Sequence, residues 1–411
     1  MTERTRIAVV GLGNRGYYMI RDVLLAFEDV DVTAVCDVYP DRNERVAQLV
    51  KEKKGFIPFT TTDYRELLAR DDIDAVYVSC SWEYHIEIAI ASMKAGKPVG
   101  VEVGGAYSVE ELHEMVRVRE ETNVPLMLME NCCYNKEELL ATAVARSGKL
   151  GEIVHCMGAY AHDLRHEIAY GNINRHYRLR NYRYRNAENY PTHELGPIAK
   201  LLDINRGNRM VSLVSVASKA AGMEQYISDH PELTEKDPTL INARFKQGDI
   251  VHTIITCQNG ETILLKLDTT LPRSYSREFT VRGTKGSYYM DSNSFYIDGM
   301  KEFWTPVDGI KNTLDNAKDY EEEFLPTVWK NMSEESKKYG HGGMDAVMFR
   351  DFIECLREGK EMPIDVYDAA AWMCITALSE QSIAQGGAPQ SIPDFTNGKW
   401  LLRPRKDVLA D

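Results

Sequence analysis

Over the first third of the chain, short apolar runs alternate with stretches of helical periodicity. The runs are RIAVVG, VTAVCD, AVYVSC, PVGVEV and PLMLME, and the intervening patterns predict helices over 17–26, 42–51, 63–68, 83–94 and 109–121. Continuous apolar strands separated by helices predict a parallel sheet, whose strands are buried on both faces and need a crossover between neighbours. A further helix is predicted over 136–146, closed at Ser147-Gly148, where glycine can take the left-handed conformation that ends helices. Beyond 150 the pattern changes to β-rich runs, VHTIITCQ, TILLKLDTT and REFTVRG, beside turn signals at Gln247-Gly248, Asn259-Gly260 and Thr284-Lys285-Gly286. Apolar stripes over 345–356 and 367–384 predict helices on one face of that second sheet, and the last residues, PDFTNGKWLLRPRKDVLAD, read as an irregular tail. The expected architecture is α/β followed by α+β: a parallel-sheet domain over 1–130 and a mostly antiparallel sheet flanked by helices over 131–411.

The first strand runs directly into Gly11-Leu12-Gly13-Asn14-Arg15-Gly16 and then into a helical pattern. GxGxxG alone is a weak signal. Between a strand and a helix, the glycines give a tight turn, let backbone N–H groups approach a pyrophosphate, and place the anion at the positive helix end. Asp37 closes the second strand, 21 residues after Gly16. A carboxylate there accepts ribose hydroxyls and repels a 2′-phosphate, so the first domain reads as a Rossmann domain for NAD. Further strand ends supply Trp82, Glu83, His85, Glu102 and Asn131, at the edge where open α/β sheets bind ligands.

Two stretches of the second domain concentrate polar aromatic chemistry, GAYAHDLRH at 158–166 and NYRYRNAENYPTHELGP at 181–197. Tyr160, His162, Arg178, Tyr190 and His193 are residue types that move protons or orient hydroxyls. Pro191 restrains the chain before His193 and a helix is expected to begin just after it, so the imidazole is held rigidly, as an acid or base requires. Composition narrows the partners. A net charge of −13 opposes a nucleic-acid or anionic-membrane partner, and no run approaches the roughly 18 apolar residues of a membrane span. The eight cysteines have no metal-ligand spacing, and the amino terminus has no export pattern; both point to a cytoplasmic protein with reduced thiols and no bound metal.

A dinucleotide domain followed by such a sheet resembles the Gfo/Idh/MocA oxidoreductases. The blocks WEYH, EVGGA, MENCCY, GEIVHCMGAYAHDLR, YPTHELGP, INRGNR, LPRSYSR, HGGMD, VYDAAAW and PDFTNGKW resemble, more narrowly, the NAD-dependent α-N-acetylgalactosaminidase branch, family 109 of the glycoside hydrolases. That resemblance implies NAD contacts at Asn14, Arg15, Asp37, Trp82, Glu83, His85, Glu102, Val103, Asn131 and Tyr190. It implies glycoside contacts at Tyr160, Arg178, Tyr190, Pro191, Thr192, His193 and Tyr275, with His193 and Tyr160 as proton carriers, and a homo-oligomer formed through the second sheet. Glu194 departs from the branch, which usually has glycine there. Glu102-Val103-Gly104 departs from the wider family, where Glu-Lys-Pro supplies a lysine for alcohol oxidation. The alternatives on sequence are a conventional NAD-dependent sugar or polyol dehydrogenase and a non-catalytic NAD sensor.

Overall fold

The computed structural model describes residues 4–333 and 340–409. The chain forms two compact units. One gathers the described residues within 1–134, 331–370 and 407–410; the other gathers those within 135–330 and 371–406.

In the first unit, β1 (Thr5–Val10), β2 (Val30–Cys36), β3 (Phe59–Thr61), β4 (Ala75–Val78), β5 (Val99–Val101) and β6 (Leu126–Leu128) form one sheet in the order β3-β2-β1-β4-β5-β6. Every neighbouring pair is parallel. Ile7, Ala8 and Val9 of β1 and all four residues of β4 are fully buried, as expected of strands covered on both faces. The order reverses between β1 and β4, which opens a crevice at their carboxyl ends. The first helix runs Asn14–Asp22, starting earlier than the 17–26 pattern because Gly13 of the turn is its N-cap.

The sequence placed the stripe at 345–356 on the second sheet. It packs instead in the first unit, as the helix Met344–Glu358. Its Met348, Phe349, Phe352 and Ile353 are fully buried, and Phe349 meets the Tyr77 ring of β4 edge-on at 4.9 Å. Gly100 of β5 makes room: a Cβ there would lie 2.9 Å from Met129 Sδ and 3.5 Å from Phe352 Cζ. Arg350 and Arg357 both pair with Asp29, which follows the first helical segment. An apolar stripe states that a helix is covered and leaves open which sheet covers it.

The second unit holds β7 (Ile153–Ala161), β8 (Met210–Ala217), β9 (Ile250–Cys257), β10 (Thr262–Asp268), β11 (Thr280–Gly283), β12 (Gly286–Tyr289), β13 (Ser294–Ile297) and β14 (Gln390–Ser391), ordered β13-β12-β11-β7-β10-β9-β8-β14. The sheet is antiparallel at every junction but β7–β10, which is parallel. Asn259-Gly260 turns β9 into β10, with Gly260 at φ +101°. Gln247-Gly248 is not a hairpin turn: residues 218–249, with helices Gly222–Asp229 and Pro231–Lys236, separate β8 from β9. Gly248 is needed there for close packing, since a Cβ would fall 2.4 Å from Ser218 O. The helix Val366–Ala384 reaches this sheet, where Ser215 N of β8 donates to Ser382 Oγ at 2.8 Å. On the other face, Val214, Ile254, Leu264 and Met157 pair in register across four strands.

Candidate functional site

The glycine turn is shaped by contacts that exclude side chains. Gly11 has φ +96°, and a Cβ on it would fall 2.3 Å from Cys80 N; a Cβ on Gly16 would fall 2.0 Å from Gly11 O. Ser79, at the end of β4, donates from Oγ to Gly11 O at 2.7 Å and ties the turn to the neighbouring strand. Gly13 differs. The nearest atom to a Cβ there is Arg42 Nη1 at 3.7 Å, and no side chain caps the helix that starts at Asn14. This open N-terminus with its leading N–H groups fits a dinucleotide pyrophosphate. Asp37, immediately after β2, accepts from Leu12 N at 2.8 Å and Tyr39 N at 3.0 Å, so the expected ribose ligand also holds the turn.

Glu102 follows β5 and is buried. Its Oε1 accepts from Tyr77 Oη at 2.6 Å and from Arg15 Nε at 2.8 Å. The other two nitrogens of Arg15 bind both oxygens of Asp345, each at 2.9 Å. Asn131 donates from Nδ2 to Asp345 Oδ1 at 2.7 Å, and His341 Nδ1 lies 2.7 Å from Asp345 Oδ2. Burial alone would raise the Asp345 carboxyl, but the Arg15 charge and the His341 contact hold it well below the ordinary carboxylate range. Burial would likewise lower Arg15, and Asp345 and Glu102 overcome it. Two expected cofactor residues, Arg15 and Asn131, thus bond to one carboxylate that no local pattern marked, and Glu102 joins it through Arg15. Asp345 lies in the HGGMD block, which carried the resemblance without a stated role.

The Gly-Gly break after β5 has a packing cause. Gly104 has φ +150°, and a Cβ there would fall 2.5 Å from Trp82 Cδ1. Val103 N donates to Glu102 Oε2 at 3.2 Å, and the Val103 side chain is buried. His85 is buried with Nε2 3.1 Å from Cys80 O, and burial lowers its pKa, which favours the neutral ring. Glu83 stands in the first turn of the helix Trp82–Lys94.

The second unit brings its candidates together. Tyr160, near the end of β7, lies 4.4 Å from the Tyr190 ring and 5.6 Å from the His193 ring; Tyr190 and His193 are edge-on at 4.8 Å. Pro191 precedes the helix Thr192–Leu201, so Tyr190 and His193 flank its start. Arg178, buried in the helix Arg178–Tyr184, sits 5.0 Å from the Tyr190 ring centre and 2.7 Å from Glu167 Oε1. Burial raises the Tyr160 phenol well above its usual range, against the opposing charge of Arg178. His162, 3.4 Å from Tyr160 Oη, is lowered by burial and then by Arg178. Tyr275 meets the His162 ring edge-on at 5.1 Å and accepts from Arg277 Nη1 at 3.0 Å. Pro191 and Thr192 are buried in the segment and give it rigidity. The cluster combines a neutral phenol, two imidazoles and a buried cation, a set suited to moving protons on a hydroxylated substrate.

Comparison with known proteins agrees with both halves. Residues 5–130 match the oxidoreductase family with an NAD-binding Rossmann fold, and residues 134–402 match the glycosyl hydrolase 109 C-terminal domain. A glycosyl hydrolase family 109 protein of Stenotrophomonas maltophilia is 36% identical, with 99% of this chain and 92% of the relative covered. An α-N-acetylgalactosaminidase of Tannerella forsythia is 35% identical over 97% of this chain and 87% of its own. Among solved structures, an oxidoreductase from Agrobacterium radiobacter in complex with NAD+, L-tartaric acid and magnesium superposes with a TM-score of 0.65, at 16% identity over 95% of this chain and 98% of that one. The structural likeness establishes the fold and the sequence likeness establishes the kind of chemistry: the protein belongs to glycosyl hydrolase family 109 and is an NAD-dependent glycosidase.

Proposed function

We propose that the substrate is an α-N-acetylgalactosaminide and that the Tyr160–Tyr190–His193 cluster beneath Arg178 receives it. The observation that carries this reading is that cluster, three rings with centroid spacings of 4.4 to 5.6 Å in the unit matching the family's C-terminal domain. The near full-length relative named for that activity supports the choice of sugar. Bound NAD would supply a hydride acceptor for the sugar C3 and a source for that hydride's return, with no net redox change. In the first unit Gly11, Gly13, Asn14, Arg15, Gly16, Asp37, Trp82, Glu83, His85, Glu102, Val103 and Asn131 would hold it. Tyr160 and His193 take and return the proton of the C3 hydroxyl and remove the proton at C2, which a C3 ketone has made acidic. Loss of the C2 proton breaks the bond from C1 to the glycosidic oxygen, which departs with a proton, and water adds across C1 and C2. Arg178 and Tyr275 orient the sugar hydroxyls, while Pro191 and Thr192 shape the floor under them. The scheme does not depend on two carboxylates at fixed separation, unlike direct glycoside hydrolysis.

The absence of the family's lysine is consistent with this division of labour, because Val103 carries no proton and the phenol and imidazole of the second unit take that role. The test uses purified protein without added cofactor and p-nitrophenyl α-N-acetylgalactosaminide. Steady p-nitrophenol release without net NADH is expected; NADH in proportion to free sugar, with no phenol released, would establish a conventional dehydrogenase instead. Eight free cysteines support a reducing, cytoplasmic location. No helix among the described residues is long and apolar enough to cross a membrane. The open face of the second sheet supports a homo-oligomer.

A further inference from the structure

Tyr275 reaches the sugar cluster from the segment before β11, and two buried charges stand behind it. Residues 275–277 run alongside the end of β7: Ser276 N donates to Ala161 O at 2.9 Å, and Ala159 N donates to Arg277 O at 2.6 Å. Tyr160 lies between those two alanines and His162 follows them, so the pairing brings the Tyr275 ring to its edge-on contact with His162. The backbone therefore fixes where the Tyr275 side chain starts. It does not fix where the phenol points, because the residue is 48% exposed and packing covers only part of it.

Glu138 and Arg277 supply the direction. Glu138, in the first turn of the helix Lys136–Arg146, is 1% exposed, and Arg277 is 7% exposed. Glu138 Oε1 accepts from Arg277 Nε at 2.5 Å, and its Oε2 accepts from Asn135 Nδ2. Arg277 Nη1 in turn donates to Tyr275 Oη at 3.0 Å. A guanidinium is planar with its N–H groups at fixed angles, so binding Nε to Glu138 sets the line along which Nη1 points. Arginine has no acceptor; Tyr275 Oη is therefore the acceptor in this contact, and the phenol proton is turned away from the guanidinium. Taking two charges out of water offsets most of their mutual attraction, so a buried pair of this kind adds little to stability by itself. Its effect here is to hold the phenol oxygen in one place.

The same segment lines a cleft. Tyr275, Ser276 and Arg277, with Asn135, Glu137 and Asp291 among the facing groups, enclose about 320 Å³. Hydroxyl, amide, carboxylate and guanidinium groups dominate that lining, and these are the groups that hydrogen-bond sugar hydroxyls. We propose that Glu138 and Arg277 are positioning residues that aim the Tyr275 phenol at a hydroxyl oxygen of the glycoside beside this cleft. This rests on the reading of Tyr275 as a sugar contact.

The test reads the phenol through kinetics and directly, on the full chain. Tyr275→Phe removes the donor, and KM for p-nitrophenyl α-N-acetylgalactosaminide should rise about tenfold. The loss falls on KM rather than kcat because an orienting hydrogen bond serves bound substrate and transition state alike. Arg277→Lys keeps a charge beside Glu138 but has no planar fork, and should raise KM by about five- to tenfold. Combined with Tyr275→Phe it should add less than about twofold, since the arginine acts through the phenol. A merely structural arginine behaves otherwise: the lysine keeps the wild-type KM, or its effect multiplies with that of Tyr275→Phe, and either result overturns the proposal. Fluorotyrosine placed at position 275 gives a readout independent of substrate. Its fluorine resonance should move in Arg277→Lys, and an unmoved resonance overturns the proposal as well. If Arg277→Lys does not fold, Glu138→Gln combined with Arg277→Met removes both charges together and carries the same comparisons. If Tyr275→Phe keeps the wild-type KM, or no form releases p-nitrophenol, the sugar-contact reading fails, and the fluorine resonance still decides whether Arg277 fixes the phenol.

Discussion

Tyr160 is a neutral phenol because burial outweighs the attraction of Arg178 for its anion. A neutral phenol beside His193 can donate a proton and take it back, which suits a cycle that begins and ends with the same hydroxyl. Tyr160→Phe keeps the ring packing against Tyr190 and removes only the proton, so kcat for p-nitrophenol release should fall about 10²- to 10³-fold with a folded protein and unchanged NAD content. An effect under tenfold would move the proton work off Tyr160. Asp345 makes the complementary case on the cofactor side. Asp345→Asn leaves the half-buried Arg15 with Glu102 as its remaining carboxylate partner among those described, at a cost of about 3 kcal/mol for breaking an ion pair whose carboxylate is buried. Lower denaturant resistance and weaker NAD retention on gel filtration are expected together; loss of stability with normal NAD retention would confine Asp345 to a structural role. These two residues differ in how far the sequence reveals them. Tyr160 and His193 stand out as proton-carrying types, and His193 also has a proline and a helix start beside it. Asp345 meets Arg15 across 330 positions of sequence, and Tyr77 sits in a run that reads as pure core, so no local pattern marks either one.

Among the elements, the parallel strands and most helix ends were legible because two-sided burial and capping leave local marks, such as Gly148, at φ +83° just past the helix Lys136–Arg146. Contacts between elements were not. Gln247-Gly248 has the composition of a turn, yet Gln247 holds Ala187 and Asn189 while Gly248 passes close to Ser218. The break after β5 also turned on a contact. Gly104 is glycine because the Trp82 indole occupies the place of its side chain and because φ is +150°. Gly104→Ala must push Trp82, at the first position of its helix, out of its buried site. A loss of roughly 1–3 kcal/mol in stability and weaker NAD binding are expected, measured by denaturant titration and by tryptophan quenching on NAD addition. Wild-type quenching and affinity in Gly104→Ala would separate Trp82 from the cofactor.

For the molecule as a whole, the feature left to account for is the uncovered face of the second sheet. Val214, Ile254, Leu264 and Met157 lie side by side across β8, β9, β10 and β7, with Ile254 52% exposed and Val216 nearby at 54%. Apolar side chains aligned over four strands form a continuous patch, which differs from isolated exposed residues in being able to bury area cooperatively against a second copy. A stable interface needs on the order of 1,000 Å² in total, within reach of two such faces. Opposing it is the charge of −13 on each chain, which repels a second copy at low salt. The two effects have opposite responses to salt: screening weakens the repulsion, and apolar burial is undiminished. Light scattering should therefore give a multiple of 46.7 kDa for wild type, with the dissociation constant decreasing as salt rises. Ile254→Glu, which places a charge in the centre of the row and leaves the buried face of β9 untouched, should yield a folded monomer under the same conditions. A wild-type monomer at every salt concentration, or an Ile254→Glu protein of unchanged mass, would remove the sheet face from the assembly.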